Sequence, residues 1–259
     1  MGRPAALNAD LLYLPGTSAV HRLPAQVKIV ATLAFVLVVV LTPREWLAAF
    51  VVDAALVGVA VAFAGLPWLV VARRMVVEVP FILFALLLPF VGHGPEVVVG
   101  PLELSEPGLW SAWNILVKAT LGVAASVVLA ATTRSGELVA ALGRLRVPGM
   151  MVQIASFMVR YVDVVTAEAA RMRTARAARG FTPSHLGSWP DLARSLGTLF
   201  VRSYERGERV QVAMLSRGYD GGSAPWQEVA APPGGAAWAA ALSLPAAALA
   251  GAVAVAVLP

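Results

Sequence analysis

The chain has 259 residues, 59% of them hydrophobic and 14% charged, with a mean hydropathy of +0.76. A soluble domain carries roughly 25% charged residues, so the excess apolar surface calls for lipid. The absence of Cys excludes disulfides, thiolate metal sites and Cys nucleophiles. The net charge of +5 is uneven, with 13 of the 20 basic residues lying between Arg134 and Arg217 beside only six acids.

Residues 1–27 are mixed, with Arg3 and Arg22, and Lys28 follows directly. No cleavable signal peptide is evident, because the first apolar run starts only near Ile29. That run ends at Leu41, before Thr42-Pro43. A second covers Trp46–Ala64 and stops at Gly65-Leu66-Pro67. A third covers Met75–Val91, with a possible backward extension through Trp68–Ala72, and holds Glu78, Pro80 and Pro89. A fourth covers Leu109–Ala131 and a fifth Ala236–Leu258. A spanning helix needs roughly 20 apolar residues, and Pro inside one kinks it without forbidding it. The sequence therefore predicts an all-α polytopic bundle of about five transmembrane helices.

Lys and Arg concentrate on the cytoplasmic side of membranes. Arg3, Arg22, Lys28, Arg73, Arg74 and the 134–218 block fall on one side of such a bundle. Residues 92–107 hold Glu96, Glu103 and Glu106 and no basic residue. The expected topology is N-terminus inside and C-terminus outside, with Arg44 alone opposing it. The expected divisions are a four-span membrane domain at 1–133, a cytoplasmic domain of crossing helices at 134–235, and a last span at 236–259.

The 134–235 block reads as three helical pieces. Ser135–Arg144 ends before Val147-Pro148-Gly149. Met150–Arg179 places Ile154, Phe157, Met158, Tyr161, Val165 and Met172 on one face. It closes on a basic stripe of Arg173, Arg176 and Arg179. Pro190–Arg217 places Leu192, Leu196, Leu199 and Phe200 on one side. Pro183 and Gly187–Pro190 separate the last two pieces, and Gly221–Gly235 reads as a linker.

Catalytic signals are sparse. There is no phosphate loop of the G-x-x-x-x-G-K-[ST] type. His21, His93 and His185 are isolated, whereas metal sites cluster their ligands. Thus no catalytic and no metal-binding residue is expected. Asp53 and Lys118 are charges inside spans at similar depth, which suggests an ion pair or snorkelling, with a transport role as the alternative. Arg74 and Glu78 have the spacing of a helical ion pair.

Two short motifs remain. Ala178-Arg179-Gly180 and Ser216-Arg217-Gly218 each close a predicted helix, with Gly as the stop. Arginines at helix ends bind lipid headgroups or cap carbonyls. They also present a planar five-donor fork suited to an acidic groove. The repetition, with a small residue on each side, favours docking into a soluble partner.

At these residues the chain resembles the transmembrane T component of energy-coupling factor (ECF) transporters, most closely the CbiQ type. That family carries an X-Arg-X motif, commonly Ala-Arg-Gly, at the end of each of two cytoplasmic coupling helices. Ala178-Arg179-Gly180 matches in full, and Ser216-Arg217-Gly218 differs by one small residue. The segment SYERGERVQVAMLSRGYDG, 203–221, resembles the signature around the second motif. His21–Pro43 resembles the family's opening, with Pro24-Ala25-Gln26 where Asp-Pro-Arg is usual.

The resemblance implies a non-catalytic subunit of an ABC importer in the cell membrane, without a cofactor of its own. Two CbiO-like ATPase subunits would bind ATP and Mg. A CbiM-like substrate-binding S component, alone or with a CbiN-like small subunit, would bind the substrate, cobalt in the first instance and nickel or a vitamin as alternatives. Ala178, Arg179, Gly180, Ser216, Arg217 and Gly218 would contact the ATPases; no nucleic acid is involved. The rival readings are a classical permease and a non-transport scaffold. Glu168-Ala169-Ala170 begins like a permease's EAA loop, but Thr174 stands where its Gly would be.

Overall fold

A computed structural model of the chain describes residues 10–91, 95–99, 102–181, 189–220 and 233–257, without the side chains of 96–99 and 102–104. Arg3, His93, Pro183, His185, Gly187 and most of the 221–235 linker lie outside the described residues, as do the side chains of Glu96 and Glu103. The chain divides into two compact units. The membrane unit comprises Leu12–Arg134 and Ala231–Pro259, and the second unit comprises Met1–Leu11 and Ser135–Ala230.

In the membrane unit a short helix α1 (Ala19–Arg22) leads into α2 (Ala25–Leu41) and α3 (Leu47–Ala64). α4 (Trp68–Arg74), a 3-10 turn (Met75–Glu78) and α5 (Val79–Val91) then form one interrupted span. The backward extension of the third apolar run is thus real. Its interruption follows from Pro80, which has no N–H to serve the Val76 carbonyl and whose ring crowds that carbonyl. The N–H of Val79 bonds Val76 O instead, which tightens the turn.

The acidic loop folds into two strands, β1 (Glu96–Val99) and β2 (Leu102–Ser105), paired antiparallel with Glu96 opposite Ser105. This hairpin is a small departure from the all-α expectation. α6 (Glu106–Thr132) starts on Ser105, whose Oγ accepts the Gly108 N–H, with Pro107 in the first turn. α10 (Gly235–Val257) closes the unit.

The core gathers Phe35 and Val39 of α2, Phe50, Val57 and Val61 of α3, Leu121, Ala124 and Val128 of α6, and Ala248 of α10. Lipid is as apolar as these side chains, so close packing rather than water exclusion holds the helices together. Small residues permit it. A Cβ at Gly108 would lie 2.6 Å from Leu88 O and 2.9 Å from Pro89 Cα. Phe81, Leu83, Phe84, Leu86, Leu87 and Phe90 of α5 are exposed and suit a lipid-facing surface.

The second unit holds α7 (Ser135–Arg144), α8 (Gly149–Ala178) and α9 (Trp189–Leu215). Asp10 Oδ1 accepts the Ser135 N–H at 2.9 Å, tying the N-terminal segment to the start of α7. Among the described residues, five helical stretches are long and apolar enough to cross a membrane: Leu47–Ala64, Trp68–Val91, Glu106–Thr132, Gly149–Ala178 and Gly235–Val257. The set differs from the five apolar runs in two places. α2 has only 17 residues, and α8 qualifies through its apolar first half. From Arg160 onward, however, α8 carries Asp163, Glu168, Arg171, Arg173 and Arg176.

Candidate functional site

The ends of α8 and α9 share one backbone construction. After α8, Arg179 is the C-cap with φ −92° and Gly180 turns left-handed with φ +79°. The Gly180 N–H bonds Ala177 O at 3.0 Å and the Phe181 N–H bonds Arg176 O at 3.1 Å. After α9, Gly218 has φ +82°, its N–H bonds Leu215 O at 3.0 Å, and the Tyr219 N–H bonds Met214 O at 3.0 Å. Both are Schellman caps, which satisfy carbonyls the helix leaves open. Ala178, Arg179, Gly180, Ser216, Arg217 and Gly218 are all exposed. A Cβ at either Gly would meet nothing within 4 Å, so φ alone demands glycine here. Each guanidinium sits at the negative end of its helix dipole, where a cation is favoured.

The residue after each Gly is aromatic, a feature missed at the sequence level although Gly180-Phe181 and Gly218-Tyr219 show it. Arg176 lies over the Phe181 ring at 5.2 Å, and its Nε and Nη1 are buried without hydrogen-bond partners. Arg176 is therefore not part of a solvated stripe with Arg173. The ring draws it in by cation–π attraction. The Tyr219 hydroxyl donates to Gln153 Oε1 at 2.5 Å, joining the end of α9 to the first turns of α8.

Midway along α8, Glu168 accepts from Arg171 and from Arg202 of α9. These two arginines hold its carboxyl below the ordinary value of 4.5. With Gln153 near Tyr219 and Glu168 near Arg202, the helices run in opposite senses. Arg217 thus lies near the root of α8, while Arg179 lies about 39 Å further along it at ~1.5 Å per residue. Glu168 sits inside a continuous helix and serves the α8–α9 contact.

Two sequence-level pairings are corrected. Among the described residues no ion pair joins Asp53 to Lys118. Lys118 Nζ donates to Val40 O at 2.8 Å, because the last carbonyls of α2 lack helical partners. Lys28 Nζ treats the end of α6 in the same way, donating to Thr132 O at 2.9 Å. Asp53 is 2% exposed, and its Oδ2 has no hydrogen-bond partner. Arg74 and Glu78 do not pair either. The 3-10 turn carries Glu78 into the bundle, where Thr120 Oγ1 donates to it at 2.6 Å, and Arg74 Nη1 is buried without a partner.

Among the described residues no group of three or more His, Asp or Glu could hold a metal ion. His21 has a structural environment: Nε2 donates to Leu14 O at 3.0 Å, leaving Nδ1 to accept from Ser18 Oγ at 2.7 Å in the neutral ring.

The sequence matches the cobalt transport protein family, CbiQ, over residues 16–227. The chain belongs to this family. Both arginine tips lie inside the matched CbiQ region, and α10 lies beyond it. The chain is 29% identical over 227 residues to the energy-coupling factor transporter transmembrane protein EcfT of Listeria innocua, covering 81% of this chain and 84% of that one. It is 28% identical over 139 residues to the cobalt transport protein CbiQ of Rhodobacter capsulatus, covering 52% of this chain and 57% of the relative. A putative fused cobalt transport protein CbiMQ of Methanocorpusculum labreanum is 28% identical over 123 residues, 46% of this chain and 20% of that one. The chain is a multi-pass membrane protein of the ECF T-component kind.

Proposed function

We propose that the chain couples ATP hydrolysis by two CbiO-like ABC ATPase subunits to a CbiM-like substrate-binding S component, for uptake of cobalt ion across the cell membrane. The chain itself is non-catalytic and holds no cofactor; ATP and Mg belong to the ATPases. Arg179 and Arg217, each between small residues, are the ATPase contacts. The observation that carries this reading is the pair of identical caps about 39 Å apart at opposite ends of α8 and α9. Two equivalent prongs at that spacing suit two equivalent grooves, one on each ATPase. A two-prong contact transmits rotation of one ATPase against the other into the helix pair. The relative named as a fused CbiMQ protein supports a membrane partner of the CbiM kind.

In this reading α2, α3, the α4–α5 segment, α6 and α10 span the bilayer with the N-terminus inside and the C-terminus outside. α7 to α9 lie in the cytoplasm, because the last half of α8 is too charged for lipid. The test is purification of the tagged chain from its native host, followed by metal uptake. Recovery of two ATPase chains and a separate membrane chain, with cobalt uptake that depends on ATP, is the expected result. Recovery of ATPases without any separate substrate-binding chain would point to a permease. Uptake of nickel in place of cobalt would correct the substrate alone.

A further inference from the structure

The two tips share a backbone and differ in the side chains they carry. The cap bonds align them residue by residue, since the Phe181 N–H bonds Arg176 O and the Tyr219 N–H bonds Met214 O. Arg176 therefore corresponds to Met214, Arg179 to Arg217 and Phe181 to Tyr219. Residues 170–181 carry Arg171, Arg173, Arg176 and Arg179 and no acid, whereas the corresponding residues 208–219 carry Glu208, Arg209 and Arg217. The rings are used differently too. Tyr219 is tied to Gln153 through its hydroxyl. Phe181 has no such group and lies against the Arg176 guanidinium, 5.2 Å from it. The ring attracts the cation but offers no acceptor to its N–H groups. Nε and Nη1 have no hydrogen-bond partner. The last acid before it on α8, Glu168, is taken by Arg171 and Arg202. Arg176 is half-buried, so the ring holds it without sealing it from a partner.

We propose that Arg176 is a second contact of the α8 tip with its ATPase, taking a carboxylate of that subunit beside the one that Arg179 takes. The inference rests on the coupling role of the tips and adds a difference between them. Arg176 and Arg179 are three residues apart and so neighbours on the helix surface. A guanidinium already held by a ring loses little further freedom when it pairs, and its planar fork matches a carboxylate. Met214, at the same position of the α9 tip, offers a thioether that cannot form such a pair. The two prongs therefore grip equivalent grooves unequally. The α8 prong holds by two ion pairs and is the more salt-sensitive. The α9 prong holds by one ion pair and the apolar, adaptable Met214.

Capture of the ATPase chains by the tagged full chain in detergent, at low and at high salt, tests it. Arg176→Gln should weaken capture about tenfold at low salt and by less at high salt, where the lost pair is screened in wild type as well. Phe181→Leu removes the ring and keeps the charge, so it should weaken capture only about two- to threefold, with the salt dependence of wild type. Met214→Gln should change neither. Hydrogen–deuterium exchange at the Phe181 amide, which bonds the backbone carbonyl of Arg176, should be the same in Arg176→Gln as in wild type. Undiminished capture by Arg176→Gln, an equal loss at both salt concentrations, or a loss of capture that accompanies exposure of the Phe181 amide would overturn this inference alone. A wild-type chain that captures no ATPase would overturn the coupling reading and this inference with it.

Discussion

Replacing Gly218 separates the two reasons a glycine can stand beside an arginine proposed to dock. The residue has φ +82° and open space where a Cβ would go. Ala therefore introduces no clash within the chain and isolates the backbone cost, roughly 1–2 kcal/mol for a left-handed L-residue. The cap is held by the Gly218 and Tyr219 N–H groups, at 3.0 Å each. Two such bonds contribute on the order of 2 kcal/mol net. The penalty consumes most of that, so cap opening should become about 5- to 30-fold more frequent. Hydrogen–deuterium exchange reads this at the Tyr219 amide, which should exchange faster by that factor in Gly218→Ala. Val should be worse, being β-branched. Asn, which tolerates this region, should be close to wild type. The reasoning fails if Ala leaves the amide unchanged, or if Asn accelerates exchange as much as Val does.

Other outcomes follow from the same structure. Gly108→Ala should destabilise the bundle by about 1–3 kcal/mol, seen as a lower unfolding temperature in detergent, since its Cβ would meet the α5 backbone at Leu88 and Pro89. Glu168 has its pKa lowered in the folded state, so its contribution is present above pH 4.5 and lost as pH falls through the lower folded value. The α8–α9 pair should loosen over that acid window, with Glu168→Gln removing the pH dependence in a limited-proteolysis assay. Asp53→Asn and Lys118→Met should have additive effects on stability, because Lys118 caps Val40 O rather than Asp53. A coupling energy above about 0.5 kcal/mol in that double-mutant cycle would restore the ion pair.

Four of the five spans were legible because long apolar runs bounded by Pro, Gly and charge have few other uses. The break at Met75–Glu78 was legible only in part. Pro80 announces a kink, but which carbonyl it abandons emerges only once the turn is built. The hairpin at Glu96–Val99 and Leu102–Ser105 had a signal in its β-branched Val97, Val98 and Val99, overshadowed by the acidic charge of the loop. The arginine tips were legible as a repeat, and their glycines as helix stops. Which groups pair across helices was not legible. Equal depth suggested Asp53 with Lys118, and spacing suggested Arg74 with Glu78. In the fold, an open carbonyl at Val40 and a hydroxyl at Thr120 took these partners instead. Arg176 illustrates the same limit, since its place over Phe181 depends on the chain reversal that Gly180 permits.

The central claim is that Arg179 and Arg217 anchor two ATPase subunits. Its most direct test is ATPase pull-down with cobalt uptake for Arg179→Ala, Arg217→Ala, the double variant and Arg173→Ala, at matched expression. Truncating one member of a desolvated charge pair typically costs 2–5 kcal/mol. Each tip variant should therefore weaken ATPase capture by at least about 30-fold, and the double variant should lose both capture and uptake while its membrane unit stays folded. Arg173→Ala, exposed on the same helix, should behave as wild type. Normal uptake by the double variant, or equal damage from Arg173→Ala, would contradict the claim and leave the tips as basic surface alone.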